Sequence, residues 1–203
     1  MGHYVEWRAK RLAAIVEHYS PRFFAGKTMV EIGCGHGDIG AFFAALGAQV
    51  TCSDARASHM RVVRRRHPLV TAQQADMDKP WPFPPSDVVI HLGVLYHLTN
   101  IWENLRAACN GCRHLILETE VSDSDDPALV LKIAETGFDQ AYGGTGSRPS
   151  GTAVEAVLKE CGMKFQRITD DRCNSGMHRY DWPVKNTGTW QHGLRRFWFA
   201  EKI

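Results

Sequence analysis

A run of closely spaced glycines is the part of this sequence best suited to hold a ligand. Gly33, Gly35 and Gly37 follow residues 28–32, whose hydrophobic run is typical of a buried strand, and they precede residues 38–46, which have a helical pattern. Glycine lets the backbone approach a ligand where a Cβ would collide. A helix N-terminus also offers free N–H groups to polar ligand atoms. The spacing therefore predicts a ligand-binding loop between the first strand and the helix after it.

Two cofactor classes use such a loop. Gly35, Gly37 and Gly40 satisfy the GxGxxG pattern of dinucleotide binding, and Asp54 lies where the ribose-binding acid of that pattern would sit. Read from Gly33, however, the glycines recur as GxGxG with Glu31 two residues before them. This second spacing resembles the first motif of class I S-adenosylmethionine-dependent methyltransferases, E/D-x-G-x-G-x-G.

Acids after the next two strands agree with the second interpretation. Asp54 ends the predicted strand 49–53, and Asp76 and Met77 follow the predicted strand 70–74. In the methyltransferase family an acid at the first position binds both ribose hydroxyls. At the second position an acid lies near the adenine amine, with an apolar neighbour against the ring. A dehydrogenase does not need that further acid, so we predict that NAD(H) does not bind.

The resemblance implies S-adenosylmethionine as the cofactor, lying across the carboxyl ends of strands one, two and four. The cofactor-binding residues that it implies are Glu31, Gly33, Cys34, Gly35, His36, Gly37, Asp54, Ala55, Asp76, Met77, His91, Leu92 and Gly93.

A second, local resemblance covers residues 93–121, which begin GVLYH and contain LET near their end. This segment resembles the tRNA wobble-uridine carboxymethyltransferases, although GVLYH also occurs in small methyltransferases of other substrates. In the tRNA family the tyrosine of this motif and an arginine near the C-terminus hold the extra carboxylate of a carboxylated cofactor. Tyr96 matches the tyrosine, and Arg196 is the candidate arginine. The family's upstream lysine has no clear counterpart and its long N-terminal extension is missing, so we expect Arg196 to lie away from the site.

Methyl transfer from a sulfonium requires in-line positioning and, for a protonated acceptor, a base. Histidine is a suitable base near neutral pH. His91 and His97 are the candidates in the predicted crevice, and Tyr96 lies beside the transferred group. We predict these three as the catalytic residues.

The whole chain of 203 residues is predicted to form one α/β methyltransferase domain. Strands and helices alternate at short intervals, which predicts a Rossmann-like, doubly wound, mostly parallel seven-stranded sheet with helices on both faces. Residues 1–20 contain an N-terminal helix, and 143–151 are predicted to be a glycine-rich loop. Residues 122–151 and 170–194 are predicted to be insertions on the substrate side.

The bulk composition limits the location and partners. The formal charge of +2 is too small for a dedicated nucleic-acid binder, although residues 61–67 are basic and would suit RNA. No stretch is apolar enough to span a bilayer. Six cysteines in a chain of this size favour reduced thiols and a cytoplasmic location. No metal site is predicted, because Cys109 and Cys112 form a CxxC without a second pair.

Three functions stay open at this point. The first is methyl transfer to an oxygen or nitrogen of a small molecule, by a monomer or homodimer. The second is tRNA modification by methyl or carboxymethyl transfer, and the third is a non-catalytic adenosyl-binding module. The absence of NPPY or DPPY after the fourth strand disfavours methylation of base amino groups.

Overall fold

The computed structural model describes residues 2–137 and 140–203. The α-helices of this described part are α1 (Gly2–Tyr19), α2 (Asp38–Ala45), α3 (Ala57–Arg66), α4 (Ile101–Asn110) and α5 (Gly151–Glu160). The strands are β1 (Thr28–Ile32), β2 (Gln49–Asp54), β3 (Thr71–Gln74), β4 (Ser86–Leu92), β5 (Cys112–Glu120), β6 (Val130–Ala134), β7 (Thr145–Pro149), β8 (Met163–Arg167) and β9 (Arg195–Lys202). Short 3₁₀ helices cover Pro21–Phe24 and Leu95–His97.

Seven of these strands form one sheet in the order β3-β2-β1-β4-β5-β9-β8. Strands β1 to β5 pair in parallel, and β9 is antiparallel to both β5 and β8. The prediction of a mostly parallel, seven-stranded Rossmann-like sheet is confirmed. Its inner strands are nearly continuous hydrophobic runs because helices cover both faces.

The alternation of side chains along β4 divides the core into two layers. Val88 packs in a cluster with Phe43 of α2 and Met60 of α3. Its neighbour Val89 packs in the other cluster, with Leu105 of α4. The helices on the two faces hold the strands in a fixed register, and the loops that follow those strands are fixed with them.

The carboxyl ends of β1, β2, β3 and β4 meet at one edge of the sheet. Ile32 pairs with Ser53, and Asp54 pairs with Gln74 in the next ladder. In open α/β sheets ligands bind in the crevice outside this edge. The glycine loop and the acids after β2 and β3 are therefore brought together by the topology.

The glycine-rich segment 143–151 differs from the prediction. It was expected to be a loop, but residues 145–149 form β7, which pairs antiparallel with β6. Ser147 Oγ donates to the Leu98 carbonyl oxygen at 2.6 Å, and Arg148 Nη1 donates to the Tyr96 carbonyl oxygen at 2.8 Å. This hairpin is stabilised by distant residues, which explains why a local pattern did not predict it.

Helix α1 is attached to the segment before β9. Trp7 Nε1 donates to the Tyr180 hydroxyl at 2.7 Å, and Lys10 Nζ donates to the Asn174 carbonyl oxygen at 2.6 Å. These contacts place α1 beside the late segment rather than free in solvent.

Candidate cofactor and acceptor site

The glycine loop after β1 adopts a conformation that glycine tolerates best. Gly33 and Gly35 have φ of 57° and 54°, in the left-handed region. A Cβ at Gly33 would lie 2.3 Å from Val94 Cγ2, whereas nothing lies within 4 Å of the Cβ position at Gly35. The backbone at Gly35 is therefore open to close approach by a ligand.

A cavity of about 180 Å³ lies beside this loop. We refer to it as the glycine-loop cavity. The predicted cofactor contacts that line it are Gly33, Gly35, Asp54, Ala55, Asp76, Met77 and Gly93. The other lining residues are Arg56, His59, Ala75, Asp78, Val94, His97, Leu98, Gln140 and Tyr142.

Asp54 organises the loop as well as lining the cavity. Its Oδ2 accepts a hydrogen bond from the Gly35 N–H at 3.1 Å, and its Oδ1 accepts one from the Arg56 N–H at 2.8 Å. His59 Nδ1 lies 3.1 Å from Oδ2. A carboxylate held in this way presents a fixed acceptor to a diol.

The loop after β3 is tied to the start of α4. Asp78 Oδ1 accepts from the backbone N–H groups of Thr99 and Asn100, both at 2.8 Å. Asp76 Oδ1 in turn accepts from the Asp78 N–H at 3.0 Å. These bonds fix the position of Met77, whose buried side chain lines the cavity with an apolar surface.

Several residues that were predicted as cofactor contacts do not line the glycine-loop cavity. Glu31 is buried below the loop, where its Oε2 accepts from the Gly40 N–H at 2.8 Å and from Cys52 Sγ at 3.3 Å. Burial raises the pKa of Glu31 to about 7. The acid of the motif therefore shapes the loop from beneath. Cys34, His36 and Gly37 do not line this cavity either.

His91, predicted as a catalytic residue and as a cofactor contact, lines neither of the cavities described in this section. Its imidazole is fully buried, with Nε2 2.9 Å from Asn104 Oδ1. Asn104 Nδ2 donates to the Met77 carbonyl oxygen at 3.0 Å. Burial lowers the pKa of His91 to about 4. Through Asn104, the residue supports the loop that carries Met77.

A second cavity, of about 670 Å³, adjoins the first and shares Gly93, His97 and Gln140 with it. We refer to it as the arginine cavity, after Arg11, Arg148 and Arg195. Its other lining residues are Tyr4, Trp7, Leu92, Tyr96, Glu120, Ile133, Ala134, Glu135, His178, Trp190 and His192. Leu92, predicted as a cofactor contact, lines this cavity and not the first.

His97 lines both cavities, and its orientation is fixed by Glu135. A short hydrogen bond joins His97 Nδ1 to Glu135 Oε2. Glu135 also accepts from the Ala141 N–H at 2.9 Å and from Arg148 Nη2. Burial alone would raise the pKa of Glu135, but the hydrogen bonds and charges of His97 and Arg148 lower it to about 2. The carboxylate occupies Nδ1, which leaves Nε2 as the nitrogen that can take a proton.

Tyr96 lies in the wall of the arginine cavity with Arg195. Arg195 Nη2 donates to the Tyr96 hydroxyl at 3.0 Å, and Arg195 Nη1 donates to Glu118 Oε1 at 2.7 Å. Burial raises the pKa of Tyr96, so the phenol stays protonated near neutral pH. Arg196 instead donates to the carbonyl oxygens of Tyr180 and Trp182, at 2.9 and 3.0 Å. Arg196 lines neither cavity, in agreement with the expectation that it lies away from the site.

Sequence reasoning did not find Glu135, Arg148, Arg11 or Trp7, although all four line the arginine cavity. None of them belongs to a motif with a fixed spacing. A weak signal was available for Arg148, since a charged residue inside the run 143–151 is unusual for a plain linker. The others depend on which loop reaches which strand end.

Residues 30–117, from β1 to β5, match the family model described as a methyltransferase domain. The N-terminal domain of EvdMO1, solved with S-adenosylhomocysteine bound, is similar with a TM-score of 0.72 at 16% identity, over 97% of this chain and 81% of that chain. Magnesium protoporphyrin IX methyltransferase from Synechocystis PCC 6803 is similar with a TM-score of 0.65 at 14% identity, over 97% of this chain and 83% of that chain. An S-adenosylmethionine-dependent methyltransferase from Mesorhizobium loti is similar with a TM-score of 0.63 at 15% identity, over 88% of this chain and 92% of that chain. Comparison with curated protein sequences gives no significant match.

Residues 30–117 are therefore similar to a methyltransferase domain, and the whole chain has the Rossmann-like fold of these solved structures. Among the helices of the described residues, none combines the length and apolar character that crossing a bilayer requires.

Proposed function

We propose that this protein transfers the methyl group of S-adenosylmethionine to an oxygen or nitrogen nucleophile of a small molecule. The observation that carries the proposal is the position of His97, which lines both cavities while Glu135 holds its Nδ1. A base in this position can reach an acceptor in one cavity and the donor in the other.

The glycine-loop cavity fits an adenosyl cofactor in the chemistry of its lining. Asp54 supplies a carboxylate for the ribose diol, and the loop at Gly35 admits close backbone approach. Met77 and Ala75 offer an apolar surface to the adenine, with Asp76 beside them. We propose these residues as the cofactor contacts. The bound cofactor supplies a methyl group that is already activated by its sulfonium.

The protein's own contribution is then positioning and proton removal. The acceptor would lie in the arginine cavity, where His97 Nε2 would take the proton of its nucleophile as that nucleophile receives the methyl group. Glu135 stabilises the imidazolium that results, because it is a carboxylate bonded to Nδ1. A positioned base of this kind contributes about 10²–10⁴-fold to rate.

The arginine cavity also supports a small acceptor. Its volume of about 670 Å³ is within the range of small-molecule sites, about 300–1,000 Å³. Walls from α1, the β6–β7 hairpin and the late segment surround it. We propose that residues 122–151 and 170–194, together with α1, form the acceptor-binding part of a single domain.

Two measurements test this function. Isothermal titration calorimetry should show binding of S-adenosylmethionine and S-adenosylhomocysteine, and a methyl-transfer assay should then detect turnover with a panel of phenols, amines and hydroxy acids. His97→Asn is the catalytic control, since it should keep cofactor binding and lose turnover. A protein that binds neither adenosyl compound would contradict the proposal. Binding without turnover on any acceptor would favour a non-catalytic module.

A second candidate function is carboxymethyl transfer to a tRNA uridine, and one contact favours it. Arg195 and Tyr96 together offer a guanidinium and a hydroxyl beside the shared residue His97. A carboxylate on the sulfonium substituent would suit both groups. The exposed arginines of α3 (Arg61, Arg64, Arg65 and Arg66) would supply the electrostatic contact with RNA. Assays with transfer RNA and with the carboxylated cofactor separate this function from the first.

A further inference from the structure

The arginines of the arginine cavity are stacked on aromatic rings. The Arg11 guanidinium carbon lies 3.7 Å from the centroid of the Trp7 ring, and that of Arg195 lies 4.6 Å from the same ring and 4.8 Å from that of Tyr96. Arg148 lies 4.8 Å from the Tyr96 ring. Stacking of this kind stabilises a guanidinium without using its N–H donors. The donors are then available to acceptors in the plane of each guanidinium.

The acidic partners of these arginines are unevenly distributed along the cavity. Glu118 is shared by two guanidinium groups, at 2.7 Å from Arg195 Nη1 and 3.3 Å from Arg11 Nη1. At the other end Arg148 faces two carboxylates, with Nε 2.8 Å from Glu120 Oε2 and Nη2 bonded to Glu135. Arg195 Nη2 also lies 3.7 Å from Glu120 Oε1, so the three arginines face three carboxylates, and Arg11 has only the shared Glu118 as its acidic partner.

Of the three arginines in the arginine cavity, Arg11 has the fewest hydrogen-bond partners among the described residues. Its side chain is more than nine-tenths buried. Within the described residues, its side chain makes one hydrogen bond, the long contact to Glu118, and its Nε, like that of Arg195, has no hydrogen-bond partner. Leaving buried donors of a charged group unpaired is costly. A ligand that supplies an acceptor here would remove that cost.

The Arg11 guanidinium lies close to the place where the two cavities join. A Cβ at Gly93, which lines both cavities, would lie 3.8 Å from Glu118 Oε2 and 4.0 Å from Arg11 Nη1, which donates to that oxygen. An anionic group bound to Arg11 would thus be held beside the cavity junction that His97 also lines. Arg11 is therefore placed to orient an acceptor for transfer.

We infer that the methyl acceptor carries a carboxylate, which binds Arg11 at the α1 end of the arginine cavity while the nucleophile faces His97. This inference rests on the proposed function. A carboxylate matches the planar fork of a guanidinium.

The test uses the protein saturated with S-adenosylhomocysteine and matched pairs of small probes. Benzoate and acetate are compared with benzamide and acetamide, which have similar shapes without the charge, and inorganic phosphate forms a separate arm. Thermal shift and calorimetry should detect binding of the carboxylates and not of the amides. Arg11→Met should weaken carboxylate binding roughly tenfold or more, because charge-assisted hydrogen bonds are lost. Arg113→Met, an exposed change at the opposite edge of the sheet, should have no effect.

Each remaining outcome has a defined meaning. Amides that bind as well as acids, or Arg11→Met with unchanged carboxylate affinity, would overturn the inference, as would binding of phosphate alone. If Arg11→Met fails to fold, Arg11→Lys retains the charge without the fork and should still weaken binding. A carboxylated cofactor that binds tenfold tighter than S-adenosylmethionine, and excludes benzoate, would assign the anion to the donor and overturn the acceptor assignment. If the wild-type protein does not bind S-adenosylhomocysteine, that result would instead contradict the proposed function.

Discussion

Arg195 and Tyr96 form a hydrogen bond, Nη2 to hydroxyl at 3.0 Å, although 99 positions separate them in the sequence. The bond joins β9 to the short 3₁₀ helix after β4, and it lies in the wall of the cavity that we assign to the acceptor. Adjacent residues of a strand point to opposite faces of the sheet. The next residue along β9 therefore cannot share this contact.

Cofactor choice tests the role of this pair. We predict that the wild type does not prefer a carboxylated cofactor over S-adenosylmethionine. If it does, Arg195→Leu should weaken the carboxylated form by about 2 kcal/mol or more, since truncating one partner of a buried charge pair costs that much. Arg196→Leu is the matched control and should leave cofactor affinity unchanged while lowering thermal stability, because its two carbonyl partners are left unpaired. Calorimetry with both cofactors makes the measurement.

Asp54 is predicted to dominate cofactor affinity. Asp54→Ala should weaken S-adenosylhomocysteine binding by about 1–3 kcal/mol, through loss of charge-assisted hydrogen bonds in a closed site. The change also removes the acceptor for the Gly35 and Arg56 N–H groups, so Asp54→Asn should be milder. Asp170→Ala, at an exposed acid paired with Arg172, is the control. Affinity that is unchanged in Asp54→Ala would remove this residue from the cofactor site.

The glycine loop should reject a nicotinamide dinucleotide. The spacing GxGxG from Gly33 and the further acid Asp76 are both typical of the adenosyl cofactor. We expect NADH at micromolar concentrations to leave a bound fluorescent or radiolabelled adenosyl ligand in place. Displacement of that ligand by NADH would contradict the prediction, and unlabelled S-adenosylhomocysteine is the positive control.

His97 and Glu135 should act as one unit in turnover. His97→Asn should lower kcat by on the order of 100-fold or more, because the base is lost. Glu135→Gln should lower kcat by a smaller factor with little change in KM, since the imidazole loses its anionic partner and not its substrate contacts. Glu160→Gln, at an exposed pair with Arg106, should behave as the wild type. Equal kcat in all three variants would exclude His97 as the base.

Glu31 should make stability depend on pH. Its pKa is raised from 4.5 to about 7 in the folded state, so the protonated form is the one that folding favours. The stabilisation is present below pH 4.5 and is lost as the pH rises through about 7. Glu31→Gln keeps an oxygen that can accept from the Gly40 N–H, but its side chain cannot ionise. Between pH 5 and pH 8 the free energy of unfolding of the wild type should fall relative to this variant by about 1–3 kcal/mol. Urea denaturation measures this free energy. The same difference between the wild type and the variant at both pH values would contradict the prediction.

Local sequence patterns were sufficient to predict the sheet, the glycine loop and the acids that follow β2 and β3. The hydrophobic runs of β1 and β4, the glycines after β1 and the acids after β2 and β3 each depend on near neighbours in the chain. Parallel pairing then brings the strand ends to one edge, whatever the rest of the fold does. Gly35, Asp54 and Met77 could therefore be placed together before any coordinates were known.

Strand alternation also predicts the face of the sheet on which a residue lies. The sequence analysis did not apply this rule to His91. His91 lies two residues after Val89 and shares its face, and that face is covered by α4. Strand alternation therefore directs the imidazole to Asn104 instead of the crevice. A position near the end of a strand therefore does not by itself bring a side chain into the crevice.

The acceptor side was decided by the tertiary structure. His97 and Glu135 are 38 positions apart, and Arg11 and Glu118 are 107 apart, so no local pattern records either contact. The β6–β7 hairpin forms because Leu98 and Tyr96 supply partners for its side chains. The sequence by itself determined the sheet, the glycine loop and the acids that follow the strands, because these depend on local periodicity and strand order. Which charges meet in the acceptor cavity was determined only when α1, the hairpin and β9 packed around it, because that meeting depends on contacts between distant parts of the chain.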